Sequence, residues 1–392
     1  MREFIIARTE RGRVSKLSMK FSLVPAVLGI IISLAGFTQA NNLADDNAAK
    51  SFGKTHETTP EKTPEKIERS SPVDPSASIT LCVMSGQLTV RGWEKSEVRV
   101  RSADAAQIDF RRVDKAKDLS TPPTRIDVMV FDKLRRKGDC QALSNVEMEV
   151  PTGATVQVQT RDGNIYITGV AGAYAGSQNG DILIERVGKF VEAGSVGGSI
   201  FLKDSTGRVN LSSAGGGVEV HNVKPLSSDD TFEVGTVSGD IELNRVSNAK
   251  VLAKTVNGNV TMMGALARAG HYGFTTMGGD VVLMLPHDVS FALNARVSDK
   301  SDIVSDFALK YLPDAPAPAP KPDPIPAVSP KSPKSPPTKT KPADKTGPVI
   351  APVVVVRPVV VNPFRRVNAI YGSGDATISL SSFGGTLRLK KM

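Results

Sequence analysis

The sequence has few aromatic, cysteine and histidine residues, and each shortage narrows the classes of protein that it fits. Aromatic side chains make up 5% of the 392 residues, with a single Trp. That is little mass for one large globular core. Four His and two Cys provide no set with the spacing of a metal site, and no nucleotide-binding loop or nucleophile elbow occurs. We therefore predict no cofactor, no metal site and no catalytic residue.

Helical periodicity is missing as well. Between residues 76 and 300 no apolar pattern with a 3.6-residue period continues for a dozen residues. Short segments such as 126–130 and 146–150 instead have an apolar residue at every second position, which is typical of strands with one buried face. With 34 Gly in the chain, these segments predict an all-β protein with many thin strands and tight turns.

The formal net charge of +9 is weaker evidence than its size suggests. Residues 1–40 contain six Lys/Arg and two acids, which leaves 43 basic against 38 acidic residues in the rest of the chain. So small an excess is typical of an ordinary solvated surface, and we expect no nucleic acid partner.

The first forty residues have the pattern of an export signal. Basic residues from Arg2 to Lys20 precede an apolar run from Phe21 to Phe37, and Ala40 ends a suitable cleavage site. The run of about 17 residues is at the lower limit for a membrane span. We expect residues 1–40 to be a signal peptide, or an N-terminal anchor if uncleaved. The expected location is extracytoplasmic (periplasm, cell surface or secreted), with no membrane span after cleavage.

The two cysteines, Cys82 and Cys140, are both C-terminal to this signal. In an oxidising compartment such a pair can form a disulfide, which would stabilise the fold by roughly 4 kcal/mol in the chain-entropy model. Two buried thiols in neighbouring strands are the alternative.

Composition divides the rest of the chain. Residues 41–75 are rich in Thr, Pro, Lys and Glu and predict a disordered linker. Residues 76–150 contain alternating strands and are expected to form an N-terminal β region that caps the repeats of residues 151–312.

In those repeats a glycine-containing unit of about 17–23 residues recurs. Two short strands per unit cannot enclose a core, but stacked copies let each strand pair with its equivalent in the next copy. The pattern predicts a single-stranded, β-helix-like β-solenoid. A β-sandwich is disfavoured by the short, regular period. Glycine tolerates the positive φ of tight turns, and the predicted turn positions are Gly163, Gly180, Gly198, Gly217, Gly239, Gly258 and Gly279.

Residues 313–363 hold 16 Pro, with seven Lys/Arg against three Asp. This composition predicts a stiff, disordered, Pro/Lys-rich insertion. It is either a simple spacer or a contact for anionic polymers. The repeat pattern returns in residues 364–392 at Gly374 and Gly385, which predicts terminal solenoid coils there.

Several segments resemble a family of proposed bacterial adhesins of unknown function. They are residues 86–98 with Gly92-Trp93, residues 150–158 beginning Val-Pro-Thr-Gly-Ala, residues 285–291, and the C-terminal Gly-Gly-Thr-Leu-Arg-Leu. The resemblance covers about 76–310 and 367–392. It implies a β-solenoid in exported or surface proteins, with a proposed adhesion role and no catalytic residues. The insertion and the two cysteines are departures from the family pattern.

Acidic residues come directly after several of the repeat glycines: Asp181, Asp240, Asp280 and Asp375. Glycosidases need two carboxylates about 5–10 Å apart, and stacked coils lie about 4.8 Å apart. However, Ser199 and Asn259 hold the equivalent position in neighbouring coils. This favours turn capping over calcium binding, sugar contact or catalysis.

We therefore predict an exported, non-enzymatic binding or adhesion-type module that presents a repetitive β face to anionic envelope polymers or glycans. Self-association into an envelope scaffold, by end-to-end stacking of uncapped coils, is one alternative. An exported polysaccharide-acting enzyme is the other.

Overall fold

The computed structural model describes residues 5–10, 13–18, 66–103, 105, 107–114, 120–132, 140, 142–298, 301–312 and 364–392. The predicted apolar run, the cleavage site at Ala40, most of the linker and the insertion at 313–363 lie outside these residues. Strands β1 (Ile5–Glu10) and β2 (Arg13–Ser18) form an antiparallel hairpin within a separate unit, Met1–Glu61. In the parts of the chain that the structure describes, no helix has the length and apolarity needed to cross a membrane.

The second unit, Lys62–Met392, contains all the remaining strands. Its N-terminal region has seven of them: β3 (Ile67–Pro72), β4 (Ser78–Ser85), β5 (Leu88–Trp93), β6 (Glu97–Ser102), β7 (Gln107–Arg112), β8 (Arg125–Phe131) and β9 (Val146–Pro151).

The central region consists of seven two-stranded coils. Their strands are β10 (Thr155–Asp162), β11 (Ile165–Thr168), β12 (Gly172–Ser177), β13 (Ile182–Glu185), β14 (Phe190–Ser195), β15 (Ile200–Thr206), β16 (Arg208–Ser213), β17 (Val218–Lys224), β18 (Thr231–Gly235), β19 (Ile241–Val246), β20 (Lys250–Lys254), β21 (Val260–Met263), β22 (His271–Thr276) and β23 (Val281–Leu285).

The C-terminal region adds six strands, three before the insertion and three after it. They are β24 (Phe291–Ser298), β25 (Ile303–Ser305), β26 (Lys310–Leu312), β27 (Phe364–Tyr371), β28 (Ala376–Ser382) and β29 (Leu387–Lys391).

Each central coil gives its first strand to a 14-stranded sheet and its second strand to a 13-stranded sheet. Neighbouring coils pair in parallel and in register, as Val191 with Val209 and Ile200 with Val218. The alternating apolar residues of both sheets point inward and form one continuous core. The predicted all-β solenoid is confirmed.

The order of the coils departs from the chain order at both ends. In the 14-stranded sheet β28 lies between β22 and β24, so the C-terminal residues form the coil next to β22–β23. The earlier strand β24 is stacked on the outside of that coil. At the other end, β4 and β5 lie between β8–β9 and β10–β11. Antiparallel strands cover each end, β3, β6 and β7 at one and β26 and β27 at the other.

One expectation about the N-terminal region was wrong. The linker was predicted to be disordered up to residue 75, but β3 pairs with β6 from Ile67 to Pro72. Ile67 packs against the core, and across the pair Nε of Arg101 donates to Glu68 at 2.7 Å. This contact holds the pKa of Glu68 below its usual value.

A disulfide joins Cys82 of β4 to Cys140, which precedes β9. It therefore ties the outermost N-terminal coil to the coil on which it stacks. The bond joins residues 58 positions apart and so lowers the conformational entropy of the unfolded chain. In the chain-entropy model this stabilises the folded state by roughly 4 kcal/mol.

The glycines of one corner form a single column along the solenoid. From Gly163 onward, a Cβ on each of them would lie closer than 3.0 Å to the carbonyl of the column glycine in the neighbouring coil. The reason for glycine is therefore close backbone approach between coils, since the column glycines from Gly180 onward do not have positive φ. The column comprises Gly86, Gly163, Gly180, Gly198, Gly216, Gly239, Gly258, Gly279 and Gly385.

Two predicted turn positions are outside this column. Of the adjacent Gly216 and Gly217, it is Gly216 that stacks on Gly198. The next strand begins at Val218, two residues after Gly216. Gly374 has a φ of 80° and lies before β28, a strand of the 14-stranded sheet. It belongs to a different corner, and only Gly385 represents the C-terminal coil in the column.

Buried hydroxyls reinforce the same corner. The side chain three residues before the column glycine is Ser or Thr in each coil from Ser177 onward. Its hydroxyl donates to the preceding coil's glycine carbonyl at 2.8–3.3 Å. In five of these coils it also accepts from its own coil's glycine N–H. The side chains are Ser177, Ser195, Ser213, Thr236, Thr255, Thr276 and Ser382.

We expect Gly239→Ala to destabilise the protein by about 1–3 kcal/mol or more, because its Cβ would meet backbone atoms of Gly216 and Gly217. Urea unfolding measures the effect. Gly188→Ala is the matched control, since nothing lies within 4 Å of a Cβ there and its φ is not positive. It should be neutral or stabilise by about 0.4–1 kcal/mol. Equal effects of the two variants would contradict the steric explanation.

We expect Ser195→Ala to cost about 1–3 kcal/mol, because the carbonyl of Gly180 and the N–H of Gly198 lose a buried partner. Thr160 holds the equivalent position in the first central coil, but its buried hydroxyl has no hydrogen-bond partner. Thr160→Val should therefore cause no loss of stability in the same unfolding measurement. A greater loss in Thr160→Val than in Ser195→Ala would refute the role of the hydroxyl ladder.

Candidate functional site

The acidic residues after the column glycines are engaged by the backbone of the next coil. Asp181 accepts from the N–H of Ser199 at 2.8 Å, and Asp240 accepts from Asn259 at 2.7 Å. Asp280 accepts from Thr386 at 2.7 Å. Asp375 was expected in this row but precedes β28 at a different corner, as Gly374 does. The row caps turns, which is a structural use of its carboxylates.

One pair of carboxylates lies on neighbouring strands. Glu219 and Glu242 are register partners whose side chains point outward from the 13-stranded sheet. They stand on an open strand face, and Glu219 contacts Nε2 of His221 at 2.6 Å. A glycosidase needs its two carboxyl groups to enclose a bound sugar in a cleft. This pair does not have that setting.

Within the described ranges, no three His, Cys, Asp or Glu side chains come close enough to hold a metal ion.

The outer face of the 14-stranded sheet changes in character along the solenoid. Over β20, β22, β28, β24 and β27, the register places Lys250, Lys254, His271, Arg296 and Arg366 outward. The remaining outward side chains are hydroxyls, amides and small or aliphatic groups, and none is acidic. We call this part of the sheet the basic face.

One row of the basic face combines cations and hydroxyls. Successive strands contribute Lys254, Thr275, Ser381, Arg296 and Arg366, each the register partner of the next. With strands about 4.8 Å apart, the row is about 19 Å long and runs along the solenoid axis. Arg296 and Arg366 lie directly opposite each other in an antiparallel pair, an arrangement of like charges that favours a bound anion.

A shallow depression of about 370 Å³ lies at the start of the basic face. Lys250, His271, Thr377 and Ser379 line it, with Glu233 at the side away from the basic face. Its depth comes from Gly273, where a Cβ would meet Cδ1 of Leu252 at 2.9 Å.

The floor of this depression is rigid. Tyr272 beneath it is buried, and its hydroxyl accepts from the N–H of Ala267 at 2.6 Å. Burial raises the pKa of the Tyr272 phenol, so the group stays neutral at ordinary pH. The depression can hold a small polar group against a fixed surface.

The N-terminal half of the same sheet has a different surface. Its outward side chains include Gln157, Gln159 and Asn210, together with the adjacent rings of Tyr174 and Phe190, whose centroids lie 4.9 Å apart. A second, smaller depression of about 240 Å³ lies on the 13-stranded sheet beside Tyr166 and Leu183. Neither area concentrates charge as the basic face does.

The basic face was missed by sequence reasoning because its residues come from distant segments. Lys254, Arg296 and Arg366 meet only because the C-terminal coil enters the stack beside β22. No local spacing in the sequence predicts that arrangement. The hydroxyl ladder, in contrast, was readable as a Ser or Thr three residues before each column glycine from Gly180 onward.

A family model described as Toastrack DUF4097 matches residues 94–311, more than half of the chain. No curated protein matches. Among solved structures, a proposed cell adhesion protein from Clostridium sporogenes is 9% identical, with a TM-score of 0.21 over 84% of this chain and 100% of its own. A proposed adhesin from Parabacteroides merdae is also 9% identical, with a TM-score of 0.37 over 57% and 92%. A proposed lipid-binding protein from Parabacteroides distasonis is 12% identical, with a TM-score of 0.33 over 56% and 91%.

Proposed function

Because the chain belongs to the Toastrack DUF4097 family, whose members share this solenoid, we propose that it is an extracytoplasmic, non-enzymatic binding module. Its ligand is an anionic polymer or glycan of the cell envelope. The polymer lies along the solenoid axis on the basic face of the 14-stranded sheet.

The observation that carries this proposal is the charge of the basic face. Four Lys or Arg side chains and one His point outward from five neighbouring strands that present no outward acid, and Lys250 alone among them lies near an acid of a preceding turn, with its Nζ 3.7 Å from Asp229. An open, low-relief face suits a chain molecule better than a small substrate, since each coil can make one weak contact and the contacts add. Hydroxyls between the cations can donate to phosphate, sulfate or carboxylate oxygens.

The corners support a role without catalysis. The acids that recur along the solenoid accept hydrogen bonds from the next coil, so their position is fixed by turn geometry. The carboxylate pair Glu219 and Glu242 stands on an open face. Catalysis by general acid and base needs such groups around an enclosed substrate.

The extracytoplasmic location rests on the sequence of residues 1–40 and on the disulfide between Cys82 and Cys140, which persists in oxidising compartments. We expect the mature chain, recovered from fractionated cells, to begin at Asn41. Intact-mass measurement after treatment with a thiol reagent tests both features at once. A mature protein recovered from the cytoplasm with two free thiols would contradict this location.

We expect the full chain to bind immobilised dextran sulfate or polygalacturonate and not uncharged dextran. Arg296→Gln combined with Arg366→Gln should weaken binding roughly 2–5-fold for each charge removed, as exposed ion pairs contribute up to about 1 kcal/mol. Binding should also weaken as salt screens these charges. Biolayer interferometry at several salt concentrations measures both effects.

The matched control is Arg208→Gln, which removes an exposed charge from β16 of the same sheet, outside the basic face. It should leave the affinity nearly unchanged. Equal loss in the control and in the double variant would mean that only net charge matters. Binding to uncharged dextran alone would transfer the contact to the N-terminal half of the sheet.

A further inference from the structure

The depression on the 13-stranded sheet combines an apolar floor with a polar rim. Its volume of about 240 Å³ is below the range of about 300–1,000 Å³ that is usual for drug-sized ligands, so it has room for a single ring. We call it the tyrosine depression. Its lining includes Thr89, Arg91, Tyr166, Thr168, Leu183 and Glu185.

The floor is apolar because of one outward row. Tyr166 and Leu183 are register partners on β11 and β13, and both are half-buried side chains that point away from the core. Phe201 follows at the same position of β15. The row is polar on either side of these three, at Thr89 and at Glu219. An aromatic ring beside an aliphatic side chain gives a flat apolar platform, on which the C–H face of a sugar ring can pack.

The rim carries opposite charges that do not bind each other. Arg91, Thr168 and Glu185 are successive register partners on β5, β11 and β13, and they point to the same side of the sheet as Tyr166. Strands about 4.8 Å apart place Arg91 about 10 Å from Glu185. The guanidinium and the carboxylate are therefore on opposite sides of the depression.

The outer neighbours of this rim leave both charges available to a ligand. Beyond Arg91 the register partner is Glu149, whose carboxylate binds the guanidinium of Arg99. Beyond Glu185 it is Lys203, and the two form no ion pair in the described part of the chain.

Thr168 adds a hydroxyl at the centre of the rim. Its Oγ1 accepts from the guanidinium of Arg186 at 2.8 Å. Because that bond uses an oxygen lone pair, the hydroxyl proton can still be donated to a ligand. The rim therefore offers Arg91 and Thr168 as donors and Glu185 as an acceptor.

We propose that the tyrosine depression binds an N-acetylated sugar unit of a glycan. The sugar ring packs on Tyr166 and the acetyl methyl group packs on Leu183. The amide N–H donates to Glu185, and the amide carbonyl accepts from Arg91 or Thr168. An amide that is hydrogen-bonded at both ends separates its two partners by about 8 Å, close to the distance between Arg91 and Glu185.

This site differs from the basic face in position and in ligand. It lies on the other sheet, and Glu185 in its rim repels the anions that the basic face attracts. Binding is weak, in the millimolar range, because the depression is shallow and each hydrogen bond on so open a rim contributes little. The inference is therefore independent of the function proposed for the basic face.

Saturation-transfer difference NMR on the full chain tests this proposal, since it detects millimolar binding. The probe is the methyl glycoside of N-acetylglucosamine, and we expect the strongest saturation at its acetyl methyl group and on one face of its ring. Methyl glucoside, which lacks the amide, should bind roughly tenfold more weakly. N-acetylalanine amide has the acetamide without the ring and should also bind roughly tenfold more weakly. Equal binding of either compound would overturn the proposal.

Substitutions locate the contact. Tyr166→Ala should weaken binding of the glycoside roughly tenfold, whereas Tyr166→Phe keeps the ring and should leave the affinity nearly unchanged. Glu185→Gln should weaken it roughly 3–10-fold, because a charged acceptor makes the stronger hydrogen bond.

Two matched controls should leave the affinity unchanged. Tyr174→Ala removes an outward tyrosine from the other sheet, and Glu242→Gln neutralises an outward acid of the same sheet outside the depression. Equal losses in the controls and in the depression variants, or no saturation of the glycoside by the unaltered chain, would refute the site.

The basic-face variant separates the two proposals. Arg296→Gln combined with Arg366→Gln should leave the glycoside affinity unchanged, because both residues lie on the 14-stranded sheet. Failure of the tyrosine depression would leave the binding of anionic polymers as expected, and the reverse also holds. A parallel loss of glycoside binding in the double variant would contradict a separate site.

Discussion

The close approach of each column glycine to a backbone carbonyl of the neighbouring coil is the constraint on which the rest of this structure depends. From Gly163 onward, each column glycine leaves room for the carbonyl oxygen of the glycine in the neighbouring coil, closer than 3.0 Å to the site of the absent Cβ. That approach brings the next strands within hydrogen-bonding distance and keeps them in register. Parallel pairing, inward alternation and the continuous core result from it. The buried hydroxyls satisfy the polar groups that so tight a corner would otherwise leave without partners.

The same constraint separates the positions that build the fold from those that are free for binding. Inward aliphatics, column glycines, hydroxyls and corner acids are all used within the stack. Outward positions of the two sheets are not, so their composition can vary from coil to coil. One part of the 14-stranded sheet has gathered cations. The solenoid therefore holds these cations at fixed separations.

The local unit of this fold could be predicted from the sequence, but its order at the ends could not. The regular spacing of the glycines and the alternation of apolar residues were sufficient to predict the solenoid, because both reflect contacts between neighbouring coils. The reason for glycine was mistaken, since a turn with positive φ and a close backbone approach demand the same residue. The places of β28 and β4 depend on long-range crossovers, which no local pattern encodes. The basic face, which joins Lys254 to Arg366, was hidden for the same reason.

A crystal structure of the unit Lys62–Met392 at a resolution that places carbonyl oxygens is the most direct test of the central claim. The account predicts column glycines in line, with each carbonyl oxygen under 3.0 Å from the ideal Cβ site of the next glycine. It also predicts a Ser or Thr hydroxyl within about 3.3 Å of that oxygen. Glycines scattered over different corners, or Cβ sites with ordinary van der Waals space around them, would contradict it.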